Sequence, residues 1–301
     1  MKFLTYLLAA GTVTALAAPP RTTNSSGATA QMVVTVRPAP SNLQADDVTV
    51  IENKARVPVT RIEKLAGDMA NMQLFILLDD SSRSQSLGPQ LPEIKAFVRS
   101  LPATTEVAIG YMRNGSYSLA QHFTSDHEKA SGTVRLPLGV PGENGSPYFA
   151  LKWAVDHWPS GGSLTGRRAI LTLTDGVDRY YTNGTIDDPY ADAAIDTAVK
   201  HGVQVYSIYL RGAGLYGRGW GTDVAQSRLM QVSEQSGGYA YFEGLSNPVS
   251  IAPFLSDLTT RFDNQYRLTL ASTGERGIQT VKLRTELQGV KIEGPTRIFV
   301  P

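Results

Sequence analysis

The chain has no cysteine in 301 residues. Disulfides, thiolate metal sites and lipid attachment through an N-terminal Cys are therefore excluded, and an exported form must rely on its apolar core. Net charge is also scarce. There are 28 basic and 27 acidic residues, or 27 of each once Lys2 is set aside. A balanced surface does not draw nucleic acid or an anionic membrane as partner. Histidine is sparse, with only His122, His127, His157 and His201. None sits in H-E-x-x-H, and no serine sits in G-x-S-x-G. Long apolar runs are missing except at the start, where Phe3 to Ala18 follow the positive charge of Lys2 and include the small-x-small stretch Ala15-Leu16-Ala17. That is the pattern of an export signal. The run is short of the ~20 residues that span a bilayer and is interrupted by Gly11, Thr12 and Thr14. Residues 1–17 are thus expected to be a signal peptide. The remainder is expected to be exported, periplasmic or extracellular, with no membrane span. Residues 18–30, rich in Pro, Ser, Thr and Asn, read as a flexible leader.

The stretch with most information is Phe75-Ile76-Leu77-Leu78-Asp79-Asp80-Ser81-Ser82-Arg83-Ser84. A short unbroken apolar run suits a strand buried on both faces. Such strands belong to parallel sheets covered by helices, and ligands bind beyond their carboxyl ends. Carboxylates and hydroxyls gathered there are hard donors suited to Mg²⁺ or another divalent cation. A second run, Ala169 to Thr174, ends at Asp175-Gly176, and Gly145-Ser146-Pro147 opens a helix with an N-cap serine and Pro at the first helical position.

Around these motifs the pattern predicts short strands at Met32–Val36, Asp47–Ile51 and Val57–Ile62, then alternating elements. Ile94, Phe97, Val98 and Leu101 mark an amphipathic helix. Val107–Met112 and Tyr117–Phe123 flank the turn signal Asn114-Gly115 and should pair antiparallel. A short helix is expected at Asp126–Ala130, and further helices behind Ser146, behind Asp188 and over Thr222–Ser236. Val203–Leu210 and Tyr239–Phe242 read as strands, and Ile251 to Phe262 as the last helix. Period two then returns at Tyr266–Leu270, Thr280–Glu286 and Arg297–Val300. The expected class is α/β, a doubly wound, mostly parallel sheet with one antiparallel edge strand. It occupies residues 73–263, between β segments 31–70 and 264–301 that could pack together, because chain ends often lie close.

With these motifs in this order, the chain resembles the von Willebrand factor type A family. The flanking strands resemble those around such domains in secreted bacterial proteins, including acidobacterial-type relatives. The family's metal-ion-dependent adhesion site uses Asp-x-Ser-x-Ser after the first strand, a Thr at a helix start and an Asp-Gly after the fourth strand. The resemblance implies metal ligands Asp79, Ser81, Ser146 and Asp175, with Ser146 in the Thr position. Shifted by one residue, the first motif reads Asp80, Ser82 and Ser84. In the first register Arg83 takes the place of the last hydroxyl, and an inward guanidinium would repel an ion or pair with Asp175. The resemblance implies a protein-binding, adhesion or scaffold module rather than an enzyme, with one coordination position left for a carboxylate of the protein partner. A metal-free scaffold of the same fold is the alternative.

Other motifs compete. Gly212-Ala213-Gly214-Leu215-Tyr216-Gly217 matches G-x-G-x-x-G, but a dinucleotide site needs a helix at once, and Arg218-Gly219-Trp220-Gly221 reads as more loop. Tyr216, Arg218 and Trp220 are instead candidate partner contacts, since Tyr, Trp and Arg are enriched in binding hot spots. A hydrolase on the acidic rim is the reading from another class. The adjacent pair Asp79-Asp80 lacks a Lys at a strand end. Asn-x-Ser/Thr occurs at Asn24, Asn114, Asn144 and Asn183, relevant only where the source glycosylates.

Overall fold

A computed structural model of the chain describes residues 28–140, 145–181, 185–212, 220–272 and 275–301. Residues 1–17, expected from the sequence to be a signal peptide, lie outside them. In chain order the first strands are β1 (Thr29–Arg37), β2 (Val48–Glu52), β3 (Ala55–Val57), β4 (Val59–Lys64) and β5 (Met72–Asp79). Next come α1 (Ser84–Leu87), α2 (Leu91–Ser100), β6 (Thr105–Arg113), β7 (Ser116–Thr124), α3 (His127–Gly132) and α4 (Pro147–Asp156). Then follow β8 (Arg167–Thr174), α5 (Pro189–His201), β9 (Val203–Tyr209), α6 (Trp220–Ser236), β10 (Ala240–Tyr241) and α7 (Ala252–Asp263). The chain closes with β11 (Gln265–Ala271), β12 (Gly277–Thr285), β13 (Lys291–Glu293) and β14 (Arg297–Val300).

Six strands form the central sheet in the order β10-β9-β8-β5-β6-β7. All neighbours are parallel except β6 and β7, which are antiparallel. Asn114 and Gly115 make the turn between them, both with positive φ (51° and 68°), the backbone that a two-residue hairpin of matching twist requires. Period-two alternation inside the apolar strands divides the sheet's two faces. Leu74, Ile76 and Leu78 of β5 pack with Ile94, Phe97 and Val98 of α2 and Leu255 and Leu258 of α7. Phe75 and Leu77 pack with Leu151 of α4, Ile195 of α5 and Leu229 of α6. The result is the doubly wound α/β layer expected from the sequence, with its antiparallel edge.

Strands from both chain ends pair with one another. β1 lies between β11 and β13, with Val34 opposite Tyr266, and β12 lies between β14 and β2. The two four-stranded sheets share a third core that includes Val34, Val36, Val50, Leu268, Val281 and Val300. Arg261 of α7 joins this part to the α/β layer. It is 3% exposed and bonds Asp257 (2.7 Å) and Glu293 of β13 (2.7 Å), while Arg37 of β1 reaches the same Asp257 at 2.5 Å.

Several boundaries differ from the sequence reading. The stretch 57–62 is not one strand, because Pro58 has no N–H to continue a ladder. β3 before it pairs with β2, and β4 after it pairs with β11. Residues 29 and 30, assigned to the leader, already belong to β1 and pair with Ala271 and Leu270. The helix placed from Thr222 starts at Trp220. α1 and β13 were not foreseen; each has only a few residues and too little periodicity to read.

Candidate functional site

The register of the central sheet brings the acidic motifs together. β5 pairs with β8 so that Leu78 faces Leu173. One step further, Asp79 ends β5 beside Thr174, which ends β8, and Thr174 donates its hydroxyl to Asp79 Oδ2 at 2.8 Å. The chain then turns. Asp79 Oδ1 accepts from the Ser81 backbone N–H (2.9 Å) and hydroxyl (2.7 Å). Asp79 is only 7% exposed. Burial, and next the negative charge of Asp175, push its carboxyl up to about 6, against the bonds from Ser81 and Thr174.

Asp175 follows Thr174 and is 5% exposed. Its Oδ1 accepts from the Val177 N–H at 3.0 Å, and its Oδ2 from an Arg179 guanidinium nitrogen at 2.7 Å. The Arg179 side chain is 14% exposed, so this pair is little screened by water. Gly212, after β9, lies against the same carboxylate, and a Cβ there would overlap it. Gly176 turns the chain at φ 67°, where a Cβ would press on Leu229, so this turn needs glycine.

Ser146 caps α4 by accepting from the Phe149 N–H (3.2 Å) and donates its hydroxyl to Asp178 Oδ2 at 2.5 Å. Asp178, 2% exposed, also accepts from the N–H groups of Tyr180 (2.7 Å) and Tyr181 (3.0 Å). Loop 175–181 is therefore held by its own carboxylates. Beneath it, the buried Tyr148 hydroxyl donates to Gly176 O (2.8 Å), and Arg228 of α6 pairs with Asp188 at 2.9 Å.

The structure separates the two registers of the first motif. Asp80 turns away from Asp175. Its Oδ1 accepts from Arg135 (2.8 Å) and from the Leu138 N–H (2.9 Å), which pins the loop over β5 and β6. Ser84 is exposed at the start of α1. The set Asp80, Ser82 and Ser84 therefore does not converge, because the strand ends at Asp79 and the next residue faces the other loop. Arg83 is exposed and does not point inward. The cation that meets Asp175 is Arg179. Tyr216 and Arg218 lie outside the described residues, and Trp220 is the first residue of α6.

A divalent ion would need the oxygens of Asp79, Ser81, Ser146 and Asp175. They are hard donors at one sheet edge, right in kind. In the arrangement present, however, Ser81 donates to Asp79, Ser146 donates to Asp178, and a guanidinium holds the outer oxygen of Asp175. Among the described residues no group of three or more His, Cys, Asp or Glu is placed to hold a metal. As arranged, the set does not fit a divalent ion, because Arg179 already supplies the positive charge.

Asp178, Arg179 and Thr174 were missed by sequence reasoning, although they stand in the same Thr174-Asp175-Gly176-Val177-Asp178-Arg179 run. A second carboxylate and a cation just past Asp-Gly were the available signal. Arg135 had no such signal; it lies 55 residues from its partner Asp80.

No family model matches the chain, and no curated protein does. Among solved structures, an aerotolerance-related membrane protein from Bacteroides fragilis is similar at 14% identity and a TM-score of 0.47, covering 64% of this chain and 99% of that one. The conserved hypothetical protein BatB from Bacteroides thetaiotaomicron is similar at 16% identity and 0.43, covering 64% and 98%. The vWF domain of the type V pili tip protein Mfa5 from Porphyromonas gingivalis is similar at 11% and 0.41, covering 64% and 93%. Likeness at these values says nothing of the site, and the fold rests on this chain's own strand order. Six strands wound in that order, one antiparallel edge and acidic loops beyond the first and fourth strands give this chain the mostly parallel α/β fold that its resemblance to von Willebrand factor type A domains implies.

Proposed function

We propose that this chain is an exported protein-binding module, of adhesion or scaffold type, that recognises its partner at the carboxyl edge of the central sheet without a bound metal. The observation that carries the metal-free reading is the Arg179–Asp175 pair at 2.7 Å. The partner surface is the aromatic cluster beside it. Phe149 is 36%, Trp153 45% and Tyr180 56% exposed. Phe149 packs on Tyr190 with ring centres 4.3 Å apart and meets Tyr180 edge-on at 5.9 Å. Rigid aromatic anchors next to a buried charged centre are the usual make-up of a binding hot spot. They take the place of the proposed contacts at Tyr216, Arg218 and Trp220, whose side chains are not described.

Binding rather than catalysis is supported by how the histidines are used. His127 bonds Thr105 O, His157 stacks on Trp153, His201 bonds Thr197 O and His122 meets Ser160. Export rests on the pattern of residues 1–17. No helix among the described residues is long and apolar enough to cross a membrane.

A second reading keeps the divalent ion at Asp79, Ser81, Ser146 and Asp175, with Arg179 displaced on loading. It is favoured by one observation, that two buried carboxylates lie close enough to repel. One experiment separates the two. Isothermal calorimetry with Mg²⁺, Mn²⁺ and Ca²⁺ should give no binding heat for the wild type and a measurable one for Arg179→Ser. Wild-type heat that disappears in Asp175→Ala would establish the ion instead. Partner capture from the exported fraction should persist with a chelator and fall with Phe149→Ala plus Tyr180→Ala. Capture indifferent to those two substitutions would remove the aromatic surface.

A further inference from the structure

The amino-terminal edge of the central sheet has a different chemistry. A crevice of about 450 Å³ opens there between the α/β layer and the strands from the chain ends. Its walls include Arg167 at the start of β8, Lys200 and His201 at the end of α5, Arg267 on β11 and Arg297 on β14. None of its lining residues is Asp or Glu. A cavity of this size is within the range of small-ligand pockets, ~300–1,000 Å³.

Two of these residues have an ordinary explanation. Lys200 and His201 complement the carbonyl end of α5. Arg297 of β14 is matched by Asp196 at 2.7 Å, which leaves Arg167 and Arg267, from two separate strands, in need of another. Arg167 is only 8% exposed. Its guanidinium donates to Phe262 O (2.8 Å), Gln265 Oε1 (2.5 Å) and Ala70 O (3.1 Å), all neutral acceptors. Its Nε is buried with no hydrogen-bond partner. Burial, and to a lesser degree the nearby Arg267, hold its pKa down to about 10 against the pull of Tyr206 and Asp263. A buried guanidinium is normally matched by a carboxylate. Nearby acids are engaged elsewhere or stand outside the crevice. Asp196 pairs with Arg297 at 2.7 Å. Glu63, opposite Arg267 in the β4–β11 register, pairs with Arg61 at 2.7 Å. Arg167, Lys200 and Arg267, drawn from three elements around one cavity, repel in a medium of reduced dielectric, and an anion is the group that turns that repulsion into binding.

We propose that this crevice binds a small organic anion, which presents a carboxylate or phosphate group to Arg167, Lys200 and Arg267. The inference is independent of the partner surface at the opposite edge. A ligand there would touch β1, β8, β11, β14 and α5 together, and so would tie the end strands to the α/β layer.

The test is calorimetry and thermal melting of the full chain with citrate and with inorganic phosphate, at matched ionic strength, with sodium chloride as blank. At least one anion should bind and raise the Tm beyond chloride. Citrate alone would identify a carboxylate ligand, phosphate alone a phosphate ligand. Lys200→Gln plus Arg267→Gln should bind roughly tenfold more weakly or worse. Both sites are at least partly open to solvent, so folding should survive; if circular dichroism shows otherwise, Lys200→Gln alone replaces the double variant and should also bind more weakly. Asp175→Ala should bind the anion like the wild type. No response to either anion, undiminished binding in the crevice variants, or loss of binding in Asp175→Ala would each overturn the proposal.

Discussion

Strand β8 carries a buried charge problem at each end. At its carboxyl end, Thr174 bonds Asp79 and leads to Asp175, and two carboxylates are buried side by side. At its amino end, Arg167 is buried against neutral oxygens. The first problem is answered locally. The counter-charge, Arg179, lies four residues along the same loop, and turn N–H groups with the hydroxyls of Ser81 and Thr174 hold the remaining oxygens. The second is answered only in part, and from far away. Phe262 and Gln265, 95 and 98 residues on in sequence, supply acceptors but no negative charge. Loops beyond the carboxyl ends of parallel strands can change without disturbing the layer, so they gather compensating groups. The amino edge here is closed by other strands and has less freedom. The sharper difference is therefore in charge: the carboxyl edge carries its own counter-ion, Arg179, and the amino edge bonds Arg167 only to neutral oxygens.

That contrast can be broken most forcefully at Arg167. Arg167→Ala leaves Ala70 O, Phe262 O and Gln265 Oε1 without a donor, and should destabilise by about 3–5 kcal/mol in urea unfolding. A stabilised variant would mean that the uncompensated charge outweighs its hydrogen bonds. At the other edge, Gly212→Ala should cost about 2–3 kcal/mol, because the new Cβ overlaps the Asp175 carboxylate. A neutral result would show that the loop yields easily.

Asp79 gives a pH signature of opposite sign to an ordinary salt-bridged carboxylate. Its folded pKa is about 6 against a usual 3.8, so folding favours the protonated form. Ionised Asp79 therefore opposes folding fully above pH 6; the penalty shrinks as pH falls and is gone below about 3.8. Asp79→Asn should be more stable than the wild type by on the order of 2 kcal/mol at pH 8, and the gain should vanish near pH 4. Urea midpoints measured across that range would check it, and a gain independent of pH would sink it. The smallest effect is expected at Arg83. It is exposed, so Arg83→Ser should change stability by no more than about 0.5 kcal/mol and leave cation binding unaltered. A gain in Mg²⁺ affinity would show that Arg83, and not Arg179, guards the rim.

What was legible in the sequence follows from local physics. Apolar runs ending at carboxylates marked β5 and β8 and put Asp79 and Asp175 on one rim. Ser146-Pro147 and Asp188-Pro189 placed two helix starts, and Asn114-Gly115 placed the hairpin. Each of these signals acts within a few residues, so a single chain shows them without help. The register of the first motif was open because Asp79 and Asp80 are adjacent and chemically alike; only the end of pairing with Met112 separates them. Arg83 and Arg179 were equally charged in the sequence, and the loop's own path decided which one reaches Asp175. The match of Arg135 to Asp80 depends on how the loop after α3 folds back over β5, and the gathering of Arg167, Lys200, Arg267 and Arg297 around one crevice depends on strand pairings that join the two chain ends. The sequence alone determined which segments are buried and where their polar ends lie, because burial follows period and composition. Tertiary structure alone decided which charges meet, because Coulomb energies act across distances that the chain order does not encode.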